Sequence, residues 1–209
     1  GGEAYFRHLR FASAGQEHVE VDAHPVSAPG VVHRDERYEL RCARLRHRIP
    51  SIGWRLEEPA GRRMLPDRLD ELGVFGPDVG RIQAEGQIIL AGRTVTLADV
   101  SEARRGQAFA FVVDTGWGDG ALELARGADL LVCEATFLSS EQELAEQYGH
   151  LTARDAGRLA AAAGARRLVI THFSRRYPDL HALEAEARAE FDEVVLAEDL
   201  ARIPVPART

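Results

Sequence analysis

The sequence has no lysine; all 26 of its basic residues other than histidine are arginine. It has one methionine, Met64, and two cysteines, Cys42 and Cys133, which lie in unrelated segments and form no Cys-x-x-Cys pair. That spacing argues against a disulfide framework and fits a reducing, cytoplasmic compartment. No apolar run approaches the roughly 20 residues needed to span a membrane. No signal peptide is visible at the start. An excess of positive charge is also missing: the net charge is −7, which argues against a globally basic nucleic-acid coat. The absence of Met at position 1 leaves two readings, a removed tag or initiator, or a piece of a longer protein. The arginine-only composition is open in the same way. It reflects coding bias, or it suits phosphate contacts through the bidentate guanidinium.

What is present is a globular composition. Hydrophobic residues make up 45% of 209 positions, enough for one domain with a sizeable core. The first third is polar and turn-rich, and its alternation predicts short strands over Val19 to Ala23, Tyr38 to Leu45 and Ile52 to Glu57. Residues 59 to 106 are rich in Gly, Pro and Arg and suggest a solvated loop system or an inserted flexible arm more than core. Within them, Pro66 to Leu72 is expected to be a helix closed by Gly73, with a second over Asp78 to Ala84. The last half is regular. Strands are expected at Ala108 to Val113, Asp129 to Glu134, Leu168 to Ile170, Val194 to Leu196 and Ile203 to Val205. Helices are expected at Gly120 to Arg126, Glu141 to Tyr148, Ala153 to Ala163 and Leu180 to Glu190. Thr152 is placed to cap the third of these helices. This alternation predicts an α/β fold.

Three strand ends stop near a side chain that can bind metal: His47, Asp114 and His172. Each alone is ordinary as a hydrogen-bonded core or loop residue. Together they offer imidazole and carboxylate, the donors that zinc and manganese accept, and a carboxylate can bridge two ions. Glu134 at the end of a strand and His150 in a loop between helices are suited to proton transfer, the Glu orienting and charging the His. The alternatives are a helix-terminus His and a capping or salt-bridge Glu.

Five separated motifs then agree in order and spacing. They are Leu45-Arg46-His47-Arg48-Ile49-Pro50 before Gly53-Trp54-Arg55, then Asp114-Thr115, Gly127-Ala128-Asp129-Leu130-Leu131-Val132-Cys133-Glu134-Ala135-Thr136-Phe137, Tyr148-Gly149-His150, and Thr171-His172-Phe173-Ser174-Arg175-Arg176-Tyr177. His150 and His172 are 22 residues apart, and Asp114 and His172 are 58 apart. From about residue 20 onward the chain resembles ribonuclease Z, the tRNA 3′-end endonuclease of the metallo-β-lactamase superfamily. Its arginine-rich style also looks actinobacterial.

The resemblance implies an αββα sandwich with two Zn2+ ions per intact subunit, Mn2+ being an alternative. It assigns His47 to one ion, His172 to the other and Asp114 to the bridge between them. It makes Glu134 and His150 a proton-donating pair. It places residues 59–106 where the family carries an arm that clamps the tRNA body, with Arg62, Arg63, Arg81, Ser174 and Arg175 as candidate substrate contacts. Precursor tRNA is the implied partner and a homodimer the implied assembly.

Two positions depart from the family pattern: Val113 stands for the usual Gly, and Cys133 for the usual His. The larger departure is that none of the eight histidines forms the family's His-x-His-x-Asp-His motif. The expectation is therefore an incomplete sandwich, the C-terminal two-thirds of the domain, with at most three of seven ligands and no activity on its own. Other readings are a phosphodiesterase or arylsulfatase-like hydrolase of the same fold, or a non-catalytic RNA-binding remnant.

Overall fold

The computed structural model describes residues 2–10 and 21–207. The chain opens with helix α1 (Gly2–Arg10), where the sequence reading expected no helix. Strands β1 (Gly30–Arg34), β2 (Glu39–Leu45) and β3 (Ser51–Glu57) follow, paired antiparallel in chain order. The strand expected over Val19 to Ala23 falls partly outside the described residues, and 21–23 carry no regular structure.

Residues 59–106 then leave the main sheet. They form β4 (Gly61–Met64), α2 (Pro66–Leu72), α3 (Pro77–Glu85), β5 (Gln87–Leu90), β6 (Arg93–Thr96) and β7 (Ser101–Arg104). β4 pairs with β7, and β5 with β6. Val74, Ile82, Ile88, Val95 and Val100 are buried together, with Met64, Leu69 and Leu72 packed around them. A solvated loop system is therefore the wrong description: the segment has a hydrophobic core of its own. The glycines that suggested loops instead end helices. Gly73 and Gly86 adopt φ of 67° and 78° as the left-handed caps of α2 and α3, a conformation costly for residues with a Cβ.

The chain returns through β8 (Ala108–Val112), α4 (Asp119–Ala125), β9 (Leu130–Glu134), α5 (Gln142–Tyr148), α6 (Ala153–Ala163), β10 (Leu168–Thr171), α7 (His181–Arg188) and β11 (Val194–Leu196). β8 is antiparallel to β3, whereas β8, β9, β10 and β11 are mutually parallel. The sheet order is β1-β2-β3-β8-β9-β10-β11. Residues 203–205, expected as a last strand, stay outside the sheet. The guanidinium of Arg167 instead donates to the Pro204 carbonyl at 3.2 Å.

One sheet face carries Ala43, Leu45, Ala110, Val112, Leu131, Cys133, Leu168 and Ile170, all buried in the main core with residues of α4, α6 and α7. Register puts Ile52, Trp54, Phe109, Phe111 and Val132 on the other face, because cross-strand partners point the same way. There Ile52 is 39% exposed and Phe111 41%, so this apolar face is uncovered at both positions. One seven-stranded sheet with helices on one face agrees with the incomplete αββα sandwich, two-thirds of the domain, that the resemblance implies. Among the described residues, no helix is long and apolar enough to cross a membrane.

Candidate metal centre and proton-transfer pair

Strands β8, β9 and β10 run in parallel, so the residues after their C-terminal ends collect at one edge of the sheet. Asp114 follows β8, Glu134 closes β9, and His172 follows β10. His47 arrives from the β2–β3 turn, whose neighbour Arg46 accepts a 2.7 Å bond from Gly116 N. His150 is set just beyond Gly149, the left-handed cap of α5.

Glu134 organises this edge. Its side chain is fully buried, and both carboxylate oxygens lie 3.1 Å from His150 Nδ1. One oxygen also accepts from Thr115 N at 2.5 Å, and the other from Thr136 Oγ1 at 2.6 Å and Leu151 N at 3.0 Å. A single carboxylate thus fixes the residue after Asp114, the residue after His150 and the hydroxyl beside His172. The Glu134 hydrogen bond raises the His150 pKa above the ordinary imidazole value, against the opposing effect of burial. With Nδ1 held by Glu134, Nε2 is the nitrogen left for a ligand.

Thr136 Oγ1 lies 2.6 Å from the Glu134 carboxylate, 2.9 Å from the His172 carbonyl and 3.0 Å from His172 Nδ1. His172 Nε2 faces Asp114 Oδ1 at 3.3 Å. The separation matches neighbouring donors of a tetrahedral ion, about 3.3 Å apart for bonds near 2 Å. His47 Nδ1 is buried and has no hydrogen-bond partner among the described residues, so it is free to serve as a ligand atom. His47, Asp114 and His150 offer ligand atoms within 4.8 Å of one another, and so do Glu134, His150 and His172. The imidazole rings of His47 and His172 lie 5.0 and 5.4 Å from that of His150. A divalent transition metal fits this donor set.

Asp114 and His172 share another property. Both have φ of 57°, in the left-handed region that residues with a Cβ seldom occupy. Such strain persists when the surroundings over-determine it, and it clusters at functional sites.

The sequence reading brought forward His47, Asp114, Glu134, His150 and His172, and these five stand together. It missed Thr115 and Thr136. The signal for Thr136 was its position two residues after Glu134, on the same side of an extended chain. The proposed substrate contacts divide: Arg62, Arg63 and Arg81 lie on the arm, whereas Ser174 and Arg175 follow His172, and Ser174 N donates to Thr136 O at 3.2 Å. Arg62 donates to the Ser101 hydroxyl and carbonyl, Arg63 to Glu102, and Arg81 to Asp78. Ser174 Oγ accepts from Arg176. Arg175 is exposed and has no ion-pair partner among the described residues.

Residues 90–173 match a family model described as a beta-lactamase superfamily domain. A metallo-beta-lactamase fold protein from Bacillus subtilis, YhfI, superposes with a TM-score of 0.57 over 94% of this chain and 60% of that one; at 17% identity it attests the fold alone. Fold and site together define a member of the beta-lactamase superfamily of metallo type.

Within it, the chain belongs to the ribonuclease Z family. It is 51% identical to Ribonuclease Z of Nocardia farcinica and 53% identical to that of Streptomyces avermitilis, in each case over 99% of this chain and 68% of the relative. The short form of human tRNase Z superposes with a TM-score of 0.53 at 26% identity, over 86% of this chain and 48% of the human one.

Proposed function

We propose that this chain carries the proton-donating and metal-bridging part of a metal-dependent endoribonuclease that removes 3′ trailers from precursor tRNA. The observation that carries the proposal is the buried Glu134–His150 pair beside the facing Asp114 and His172, in a chain of the ribonuclease Z family. His47 and His172 would each hold one divalent ion, zinc by preference, with Asp114 between them. When bound, the metal would supply a water of lowered pKa and positive charge for the phosphate oxygens.

The rest is the work of the chain. His150 Nε2 gives its proton to the departing 3′ oxygen, leaving a tRNA with a free 3′-hydroxyl and a trailer with a 5′-phosphate. Glu134 orients the ring through Nδ1 and favours its charged form before transfer. Thr136 and Thr115 lock Glu134 in place. Arg62, Arg63 and Arg81 on the arm, and Ser174 and Arg175 beside His172, contact backbone phosphates, which position the RNA without reading its sequence. The family resemblance supports a homodimer in the cytoplasm.

The chain as given holds three of the expected ligand side chains and lacks His-x-His-x-Asp-His, so on its own it binds zinc weakly and is inactive. The test joins to this chain the part of the Nocardia farcinica relative that it does not cover, about a third of that protein. The 209-residue chain alone should leave a trailer-bearing precursor tRNA intact, and the chimera should cut it. A chimera that hydrolyses bis(p-nitrophenyl) phosphate or an aryl sulfate but spares the precursor would support a different hydrolase of this fold. Tight RNA binding without any hydrolysis would support a non-catalytic remnant.

A further inference from the structure

A cavity of about 480 Å³ opens at the root of the arm, lined by Arg63, Arg104, Arg105, Arg166 and Glu102 over a floor at Gly127. It lies at the N-terminal ends of β8, β9 and β10, the end of the sheet away from His150. Five-residue strands separate the two by about 17 Å. Four arginines and one glutamate line it, on a chain whose net charge is −7. The local positive field is therefore not a reflection of overall composition.

Two of the arginines are already neutralised. Arg63 pairs with Glu102 at 2.7 Å, and Arg166 pairs with Asp129 at 3.1 Å. Arg104 and Arg105 have no acidic partner among the described residues. The Arg105 guanidinium sits over Gly127, where a Cβ would come within 3.7 Å of it. Helix carbonyls are the ordinary alternative use for such cations, and here they are taken. Arg55 donates to Leu124 O and Arg126 O at the end of α4. Backbone N–H groups of Gly127, Gly164 and Ala165 take Ala163 O, Ala161 O and Ala160 O at the end of α6. The charges of Arg104 and Arg105 are left facing the cavity. No aromatic side chain lines it, so it offers nothing on which a base could stack.

We infer that this cavity is an anion site, separate from the metal centre, that takes phosphate groups through Arg104 and Arg105. The phosphates belong to an RNA backbone or to a free polyphosphate, two sources with one chemistry.

The experiment is calorimetric titration of the 209-residue chain with inorganic pyrophosphate and with a 12-nucleotide single-stranded RNA, in wild type and in R104Q/R105Q. Matched thermal melts confirm that the variant is folded, and R104K/R105K serves as a charge-preserving control. Pyrophosphate weakened tenfold or more identifies a free anion. RNA weakened alone identifies the backbone, with a salt slope lower by about 1.4 for two lost contacts. Both weakened means that the site accepts either, and the lysine variant should recover most of the loss. If wild type binds neither ligand, or binds both as tightly without the two arginines, the inference fails. No activity is measured, so a chain that never cuts tRNA overturns only the reading of the metal centre.

Discussion

Glu134 accepts a 2.5 Å hydrogen bond from the backbone N–H of Thr115, the residue that follows Asp114. The same side chain faces His150, so replacing it disturbs two parts of the site together. Glu134→Gln keeps the shape but turns an amide NH₂ toward the donors of Thr115, Leu151 or Thr136. We expect a stability loss of about 1–3 kcal/mol for one buried donor left unmet. The pKa of His150 should fall toward the ordinary imidazole value, because its largest upward influence is gone. Urea unfolding reads the first effect and imidazole proton NMR the second. An unchanged His150 titration would remove Glu134 from its assigned role.

The left-handed backbone at Asp114 gives a comparison between two substitutions. Both Asp114→Ala and Asp114→Gly remove the carboxylate, but only glycine relieves the strain at φ 57°. The glycine variant should be more stable than the alanine variant by about 1 kcal/mol, measured as the denaturation midpoint at unchanged slope. Equal midpoints would mean that the strain is absent in solution.

Arg55 is 5% exposed and sends its guanidinium to Leu124 O, Arg126 O and Glu57. Arg55→Met fills much of the volume and abandons two carbonyls, a loss of about 3 kcal/mol by chemical denaturation. Arg55→Lys should rescue only a fraction of it, since an ammonium cannot reproduce the planar fork. Full rescue by lysine would show that charge alone matters.

In the arm, Asp99 accepts from Thr96 N at 2.8 Å and Thr96 Oγ1 at 2.7 Å, and these bonds lower its pKa. A depressed folded pKa contributes stability that is present above the unfolded carboxylate value, about 3.9, and is lost as pH falls through the folded value. Amide protection in residues 87–104, corrected for intrinsic exchange, should therefore drop in acid relative to the Asp99→Ala variant, which lacks this component. Parallel pH profiles for the two proteins would contradict it.

Legibility in the sequence followed the range of the interactions. The bounds of α2 and α6 could be read at Pro66, Gly73, Thr152 and Gly164, because helix ends are set by local backbone chemistry. The strands β4 and β7 could not, since Gly61 and Arg104 become partners only when the chain closes a long excursion. Likewise β5 and β6 are four residues each, too short for periodicity to separate from a loop. At the site, His47, Asp114, Glu134 and His172 were visible as polar residues near strand ends and His150 as a loop histidine between helices, and the family resemblance tied the five together. The part played by Thr136 was not, because a threonine after a strand is commonplace. Its importance comes from a hydroxyl placed between the Glu134 carboxylate and the His172 imidazole.

Gly149 ends α5, and a Cβ there would lie 3.4 Å from His47 Cα and from His47 Cδ2. The His47 loop therefore rests directly on the backbone beside His150, and it is also held by the Arg46–Gly116 bridge, by Arg46 Nη1 donating to Trp117 O and by Arg48 over the Tyr148 ring. His47 thus joins the constellation through its loop and not through Glu134. A local opening of the β2–β3 corner would carry it away while Glu134 kept its contact to His150 and, through Thr136, to His172. Metal affinity would then report how often that corner opens, and not only which donors surround the ion.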